Sequence, residues 1–198
     1  VLATIDLGSK LAAEGLHVRS TADLPGSPPF QGQPLVVVVL EDSEVDSKDV
    51  RSDLAYILFT SGSTGDPKGV VHTHAGALAF VDWAGVAFRP GPSDRFASHA
   101  PFHFDLSIFD LYVSIGCGGA LLLFDEALGR QPARLAEAAH TLGVTVWYST
   151  PSTLRMLLAW GKLERFSFDQ LRLVLYAGEI FAAHQLRQLA DRWPTARF

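Results

Sequence analysis

An α/β fold with a mostly parallel β-sheet layered by helices is what this sequence predicts, and three observations carry that prediction. Apolar runs of strand length recur along the chain, among them LVVVVL at 35–40, LAYILF at 54–59 and ALLLF at 120–124. From residue 70 onward such runs alternate with segments of helical spacing, the pattern that favours parallel strands joined by crossovers. Hydrophobic residues make up 48% and charged residues 19% of 198, enough to fill one sizeable core.

Taken in order, 7–14 has helical spacing and Gly15 is a natural stop. A Pro- and Gly-rich loop over 24–34 leads to the strand 35–40, apolar throughout and expected to be covered on both faces. Residues 41–53 carry six carboxylates without apolar periodicity; lacking the spacing and glycine of a calcium loop, they read as an acidic, solvated connector. Residues 54–59 predict a buried strand, and Val70 and Val71 a short one. Helical spacing follows over 74–86, with Leu78, Val81 and Trp83 among its apolar positions. Residues 94–100 lead into a second apolar block, and 105–115 predicts a helix broken by the glycines of 116–119. Strand 120–124, helix 132–142, strand 144–148, helix 152–160, strand 171–176 and helix 181–193 complete the alternation. The first residue is not methionine, and the closing WPTARF reads as a helix end entering a new strand; a piece of a longer polypeptide is expected.

Charge and composition narrow the partners. A formal net charge of −5 with no basic arm argues against nucleic acid. The single cysteine, Cys117, rules out an internal disulfide framework and suits a reducing cytoplasm. No apolar run has membrane-spanning length, and no signal segment opens the chain.

The densest chemistry lies in TSGSTGDPKG, residues 60–69. Thr60, Ser61, Ser63 and Thr64 supply hydroxyls, Gly62, Gly65 and Gly69 allow close backbone approach, and Lys68 adds a cation. That set suits a polyphosphate. The Walker A pattern is not met, because Pro67 precedes Lys68 and Gly69 follows it. Among the histidines, His72 with His74 and His99 with His103 have chelating spacings, but no HExxH arrangement accompanies them, and no zinc site is expected. Cys117 has no paired histidine or second cysteine nearby and reads as a packed small residue.

TSGSTGDPKG resembles the phosphate-loop motif of the adenylate-forming enzymes, which include acyl-CoA synthetases, luciferases and nonribosomal peptide synthetase adenylation domains. The resemblance covers the chain after Leu54 and implies a partial amino-terminal core of such an enzyme, spanning 1–198 without the mobile carboxyl-terminal subdomain. It implies ATP and Mg²⁺, with Thr60, Ser61, Gly62, Ser63, Thr64, Gly65 and Lys68 clamping the β- and γ-phosphates and Lys68 as the catalytic cation. His103-Phe104-Asp105-Leu106-Ser107 resembles the FDxS motif of amino-acid-activating domains, in which the aspartate pairs with the substrate ammonium. Held in a mostly apolar pocket, such a carboxylate wants a cationic partner; Asp105 equally suits the N-cap of the helix that starts there. Tyr176-Ala177-Gly178-Glu179 resembles the family's GGE segment, placing Gly178 and Glu179 at the nucleotide, although Glu179 also suits the first turn of a helix.

By the same resemblance Asp105, Leu106, Phe109, Tyr148, Leu175 and Ala177 line the side-chain pocket. Apart from the aspartate they are apolar or aromatic, which favours a compact uncharged side chain. Their order is similar to that of stand-alone proline-activating ligases, which load proline onto a phosphopantetheine carrier protein. The resemblance implies an amino-acid ligase, inactive as this piece alone, with a non-catalytic nucleotide-binding or carrier-docking module and an acyl-CoA synthetase as its rivals.

Overall fold

The computed structural model describes residues 2–4, 18–23, 35–40, 53–60 and 67–198. The helix expected over 7–14, the loop over 24–34 and nearly all of the acidic connector lie outside the described residues. Strands β1 (Leu2–Thr4), β2 (Val18–Asp23) and β3 (Leu35–Leu40) open the chain. A hairpin of β4 (Leu54–Thr60) and β5 (Lys68–Thr73) follows, then helix α1 (His74–Phe88) and β6 (Arg95–Ser98). A helical stretch comprises α2 (Leu106–Ile108), a π-helical turn (Phe109–Val113) and α3 (Ser114–Gly116). Then come β7 (Ala120–Leu123), α4 (Glu126–Gly129), α5 (Pro132–Thr141), β8 (Val146–Ser149), α6 (Pro151–Trp160), β9 (Leu173–Tyr176) and α7 (Ala183–Arg192).

The main sheet runs β2-β3-β1-β7-β6-β8-β9. From β1 to β9 every neighbouring pair is parallel, and β3 and β2 extend the β1 edge in antiparallel fashion. Side chains alternate across it. Phe96, Leu121, Val146 and Leu173 face a core shared with Ala84, Phe109 and Val113, whereas Ala97, Leu122, Trp147 and Val174 face one shared with Leu135, Leu154, Leu157 and Leu189. The four strands are therefore covered on both faces, as their near-continuous apolar runs require. Each fully buried Leu or Phe contributes about 1.5–3 kcal/mol relative to exposure.

Chain direction creates the crevice. After β6 the chain crosses to β7 on one side, and after β8 to β9 on the other. At such a reversal the connections diverge and leave a gap outside the carboxyl ends of the two strands, where ligands of open α/β sheets bind. The tight turn into β7 depends on Gly119, where a Cβ would stand 3.0 Å from the Asp94 carbonyl oxygen.

Three expectations change. Residues 54–59 do form a strand, but not a buried one: Leu54, Ile57 and Phe59 are 52%, 51% and 69% exposed. The run pairs back on β5 as an antiparallel hairpin, and an apolar run cannot by itself say which layer covers it. The partner strand is also longer than Val70 and Val71, because Lys68 already pairs with Thr60. The stretch expected as one helix over 105–115 is helical but contains the π turn.

Candidate functional site

The mouth of the β4–β5 hairpin forms one side of the site. Thr60 and Lys68 are cross-strand partners, and the Thr60 hydroxyl donates to the Lys68 carbonyl at 3.5 Å. Both residues are exposed, and Lys68 has no ion-pair partner among the described residues. Ser61, Gly62, Ser63, Thr64 and Gly65 lie outside the described residues. An unpaired ammonium at a loop rich in hydroxyls suits an anion.

The other side stands at the carboxyl ends of β6, β8 and β9. Asp105 has helical backbone angles (φ −61°, ψ −28°), and its side chain makes no capping hydrogen bond. The turn is held instead by the Ser107 hydroxyl, which donates to the carbonyls of Phe104 at 2.7 Å and Phe102 at 3.0 Å. The capping role is thus unrealised. Asp105 is also exposed rather than enclosed by apolar residues, because it precedes the first buried turn, Leu106–Ile108.

Behind it the ring wall is continuous. Phe109 is buried and meets Tyr148 edge-on, with centroids 5.4 Å apart. Tyr148 lies in register with Leu175 on β9, and both continue the face that carries Val146 and Leu173. Leu106 is buried, and Ala177, exposed, donates its N–H to the Ser149 carbonyl at 3.3 Å. Burial raises the Tyr148 phenol pKa first, and the charges of Asp105 and then Asp110 raise it further.

Tyr56 joins the two sides. Burial, Tyr112 and then Asp105 raise its phenol pKa, so the hairpin ring lies within reach of the Asp105 charge. It stacks on His72 with centroids 4.8 Å apart. Sequence reasoning missed Tyr56 because it sits inside an apolar run; an isolated phenol among aliphatic residues just before the loop is the signal that marks it.

Gly178 (φ +88°) turns the chain after β9. Glu179 is not in the first turn of the helix that follows, which begins at Ala183. It reaches α6 instead, accepting hydrogen bonds from Ser152 Oγ and from Arg155 Nη2 at 2.8 Å. The Ser152 hydroxyl chiefly, with Arg155, lowers its pKa.

Two polar residues were also missed as site neighbours: His99, half-buried against Trp147, and Asp110, buried in the π turn. Burial pushes His99 down to about 4 against the opposing effect of a hydrogen bond with the Tyr148 backbone, and its Nε2 has no partner among the described residues. Burial raises the Asp110 carboxyl well above the usual carboxylate range. The adjacent Ser98 hydroxyl opposes this without reaching hydrogen-bond geometry, so Ser98 Oγ and Asp110 Oδ2 have no hydrogen-bond partner among the described residues. His103 is exposed beside Phe104. Among the described residues no three His, Cys, Asp or Glu side chains are grouped to hold a metal ion. Cys117 is half-buried and directed at the Ser114 and Gly91 carbonyls, which fits a packing role.

Known proteins resemble this chain in sequence and fold. The chain is 45% identical over 145 residues to an L-proline--[L-prolyl-carrier protein] ligase of Pseudomonas fluorescens, a match covering 73% of this chain and 29% of that one. It is 34% identical over 168 residues to a D-alanine--D-alanyl carrier protein ligase of Staphylococcus haemolyticus, covering 83% and 35%. Among solved structures, the nonribosomal peptide synthetase FmoA3 superposes with a TM-score of 0.63 at 29% identity, over 73% of this chain and 15% of that one. The matches thus span about a third or less of these relatives' lengths. The family model for AMP-binding enzymes matches residues 5–198, nearly the whole chain, and by that match the chain belongs to the AMP-binding enzyme family.

Proposed function

We propose that this chain forms the polyphosphate- and amino-acid-holding part of an ATP-dependent ligase. The enzyme activates an amino acid, L-proline by preference, as its aminoacyl-adenylate and passes it to the phosphopantetheine thiol of a carrier protein. The observation that carries this reading is Asp105: a carboxylate that makes no capping bond and has no ion-pair partner among the described residues, at the edge of the Phe109–Tyr148–Leu175 wall and within electrostatic reach of the hairpin that carries Lys68. A zwitterion with a compact apolar side chain answers both features. Similarity to carrier-protein ligases for two small amino acids supports the class, and the higher identity to the proline ligase supports proline.

In the reaction the amino-acid carboxylate attacks the α-phosphorus of ATP in line. A carboxyl O–P bond forms, the bond to the bridging oxygen breaks, and pyrophosphate leaves with the electron pair. Side chains supply little covalent chemistry, so positioning and charge neutralisation dominate. Asp105 holds the ammonium, the ring wall sets the side chain against it, and Thr60, Lys68 and the intervening loop hold the polyphosphate. Mg²⁺ would neutralise phosphate charge, although no donor set for it stands among the described residues. The single cysteine suits a reducing cytoplasm as the setting.

The test is exchange of labelled pyrophosphate into ATP by the intact protein. Proline should drive the exchange, and Asp105→Ala should raise the KM for proline about 10- to 100-fold, the usual worth of a hydrogen bond to a charged group. Absence of exchange with any amino acid would favour a binding module. Activity on simple carboxylic acids that is untouched by Asp105→Ala would favour an acyl-CoA synthetase.

A further inference from the structure

The turn after β9 borders the site, yet little apolar packing holds it. Ala177, Gly178, Glu179 and Ile180 are all exposed, Ile180 at 91%. Its anchor is a fork from α6. Arg155 Nη2 donates to Glu179 Oε2 at 2.8 Å and to Ser152 Oγ at 2.7 Å, while Nη1 donates to the Ile180 carbonyl at 3.2 Å. The Ser152 hydroxyl donates to the same Glu179 oxygen. One planar guanidinium thereby fixes a side chain and a main-chain carbonyl on either side of one peptide, a geometry that a single-point cation cannot reproduce. The carboxylate also lies at the amino end of α6, where the helix dipole favours negative charge.

We propose that Arg155 is a positioning residue for the ligase: through Glu179 and the Ile180 carbonyl it fixes the 177–180 turn and so sets affinity for the substrates that the turn borders. This rests on the ligase reading above. It also changes the role of Glu179, whose carboxylate faces α6 and serves to hold the turn rather than to touch nucleotide.

The experiment compares the intact wild-type protein with Arg155→Gln, Arg155→Lys, Glu179→Gln and the Arg155→Gln/Glu179→Gln double variant in pyrophosphate exchange, alongside amide hydrogen exchange over 177–181. Arg155→Gln should raise KM for ATP and amino acid about three- to tenfold, in line with a partly exposed charged network, and leave kcat within about twofold. Arg155→Lys should recover only part of the loss. The double variant should be no worse than the more damaged single one, because both act on one turn. Amides 178–181 should exchange faster in Arg155→Gln. Unchanged KM values, additive losses or an unchanged exchange rate would each overturn the proposal. A wild-type protein without pyrophosphate exchange would instead sink the ligase reading, and the hydrogen-exchange comparison would still report on the fork.

Discussion

His99, tilted against the Trp147 ring, and Asp110, next to Phe109 in the π turn, respond to pH in opposite directions. His99 titrates at about 4 when folded against 6.5 when free, so the folded state binds fewer protons in that window. Its contribution to stability is full above pH 6.5 and is lost as pH falls through about 4. Asp110 is raised, so the stability linked to its bound proton is full below the free carboxyl value of 3.8 and is lost as pH rises through its folded value. Urea unfolding at several pH values from 4.5 to 8 separates them. His99→Gln should remove on the order of 2 kcal/mol of the wild-type loss between pH 6.5 and 4.5. Asp110→Asn should remove the decline at the alkaline end, so the variant gains on wild type as pH rises. If both variants follow the wild-type profile, the two groups are not buried as described.

Helix α1 shows how much of an element the sequence can announce. Its start is signalled by Thr73, whose hydroxyl accepts the Gly76 N–H at 3.1 Å. Its end falls at Arg89, in the left-handed region at φ 47°, with its N–H on the Gly85 carbonyl. Thr73→Ala should cost about 1 kcal/mol in urea unfolding and Thr73→Ser much less, since only a hydroxyl is needed at an N-cap. A loss equal in both would place the effect in the threonine methyl. The parallel strands and the longer helices after residue 70 were legible from apolar period and glycine breaks, whereas the single-turn helix at Glu126–Gly129 was not. The hairpin was not, because exposure of Ile57 and Phe59 depends on which layers reach them, and no local pattern encodes that. Within the candidate site, motif positions pointed to Asp105, Phe109, Tyr148 and Leu175; the sheet register sets Tyr148 beside Leu175, and the π turn brings the Phe109 ring edge-on to Tyr148. Tyr56, Arg155 and the true partner of Glu179 depend on long-range contacts, and only the fold reveals them.

At the scale of the molecule the sheet has a chemical end and a structural end. The candidate site occupies the carboxyl ends of β6, β8 and β9, while their amino ends are tied by one polar cluster. Asp94, just before β6, accepts from Arg172 Nε at 2.8 Å and from Thr145 Oγ1 at 2.7 Å, and also receives Arg172 Nη2 and the Gly91 N–H. Thr145 and Arg172 immediately precede β8 and β9, so one carboxylate aligns three strands. Burial alone would raise the Asp94 pKa, but the hydrogen bonds from Arg172, Thr145 and Gly91, with the Arg172 charge, lower it below 3.8. Asp94 is buried and Arg172 is partly exposed, so breaking the pair should cost less than the loss of a wholly buried one, roughly 2 kcal/mol. Asp94→Asn should therefore lower the urea midpoint at pH 7 while leaving the KM values of the proposed ligase for ATP and amino acid nearly unchanged. Because a depressed carboxylate stabilises above its free value and loses that contribution as pH falls through its folded value, the gap between variant and wild type should narrow below pH 3.8. A gap that persists in acid would show that Asp94 acts through packing, and a raised KM would show that the two ends of the sheet are coupled.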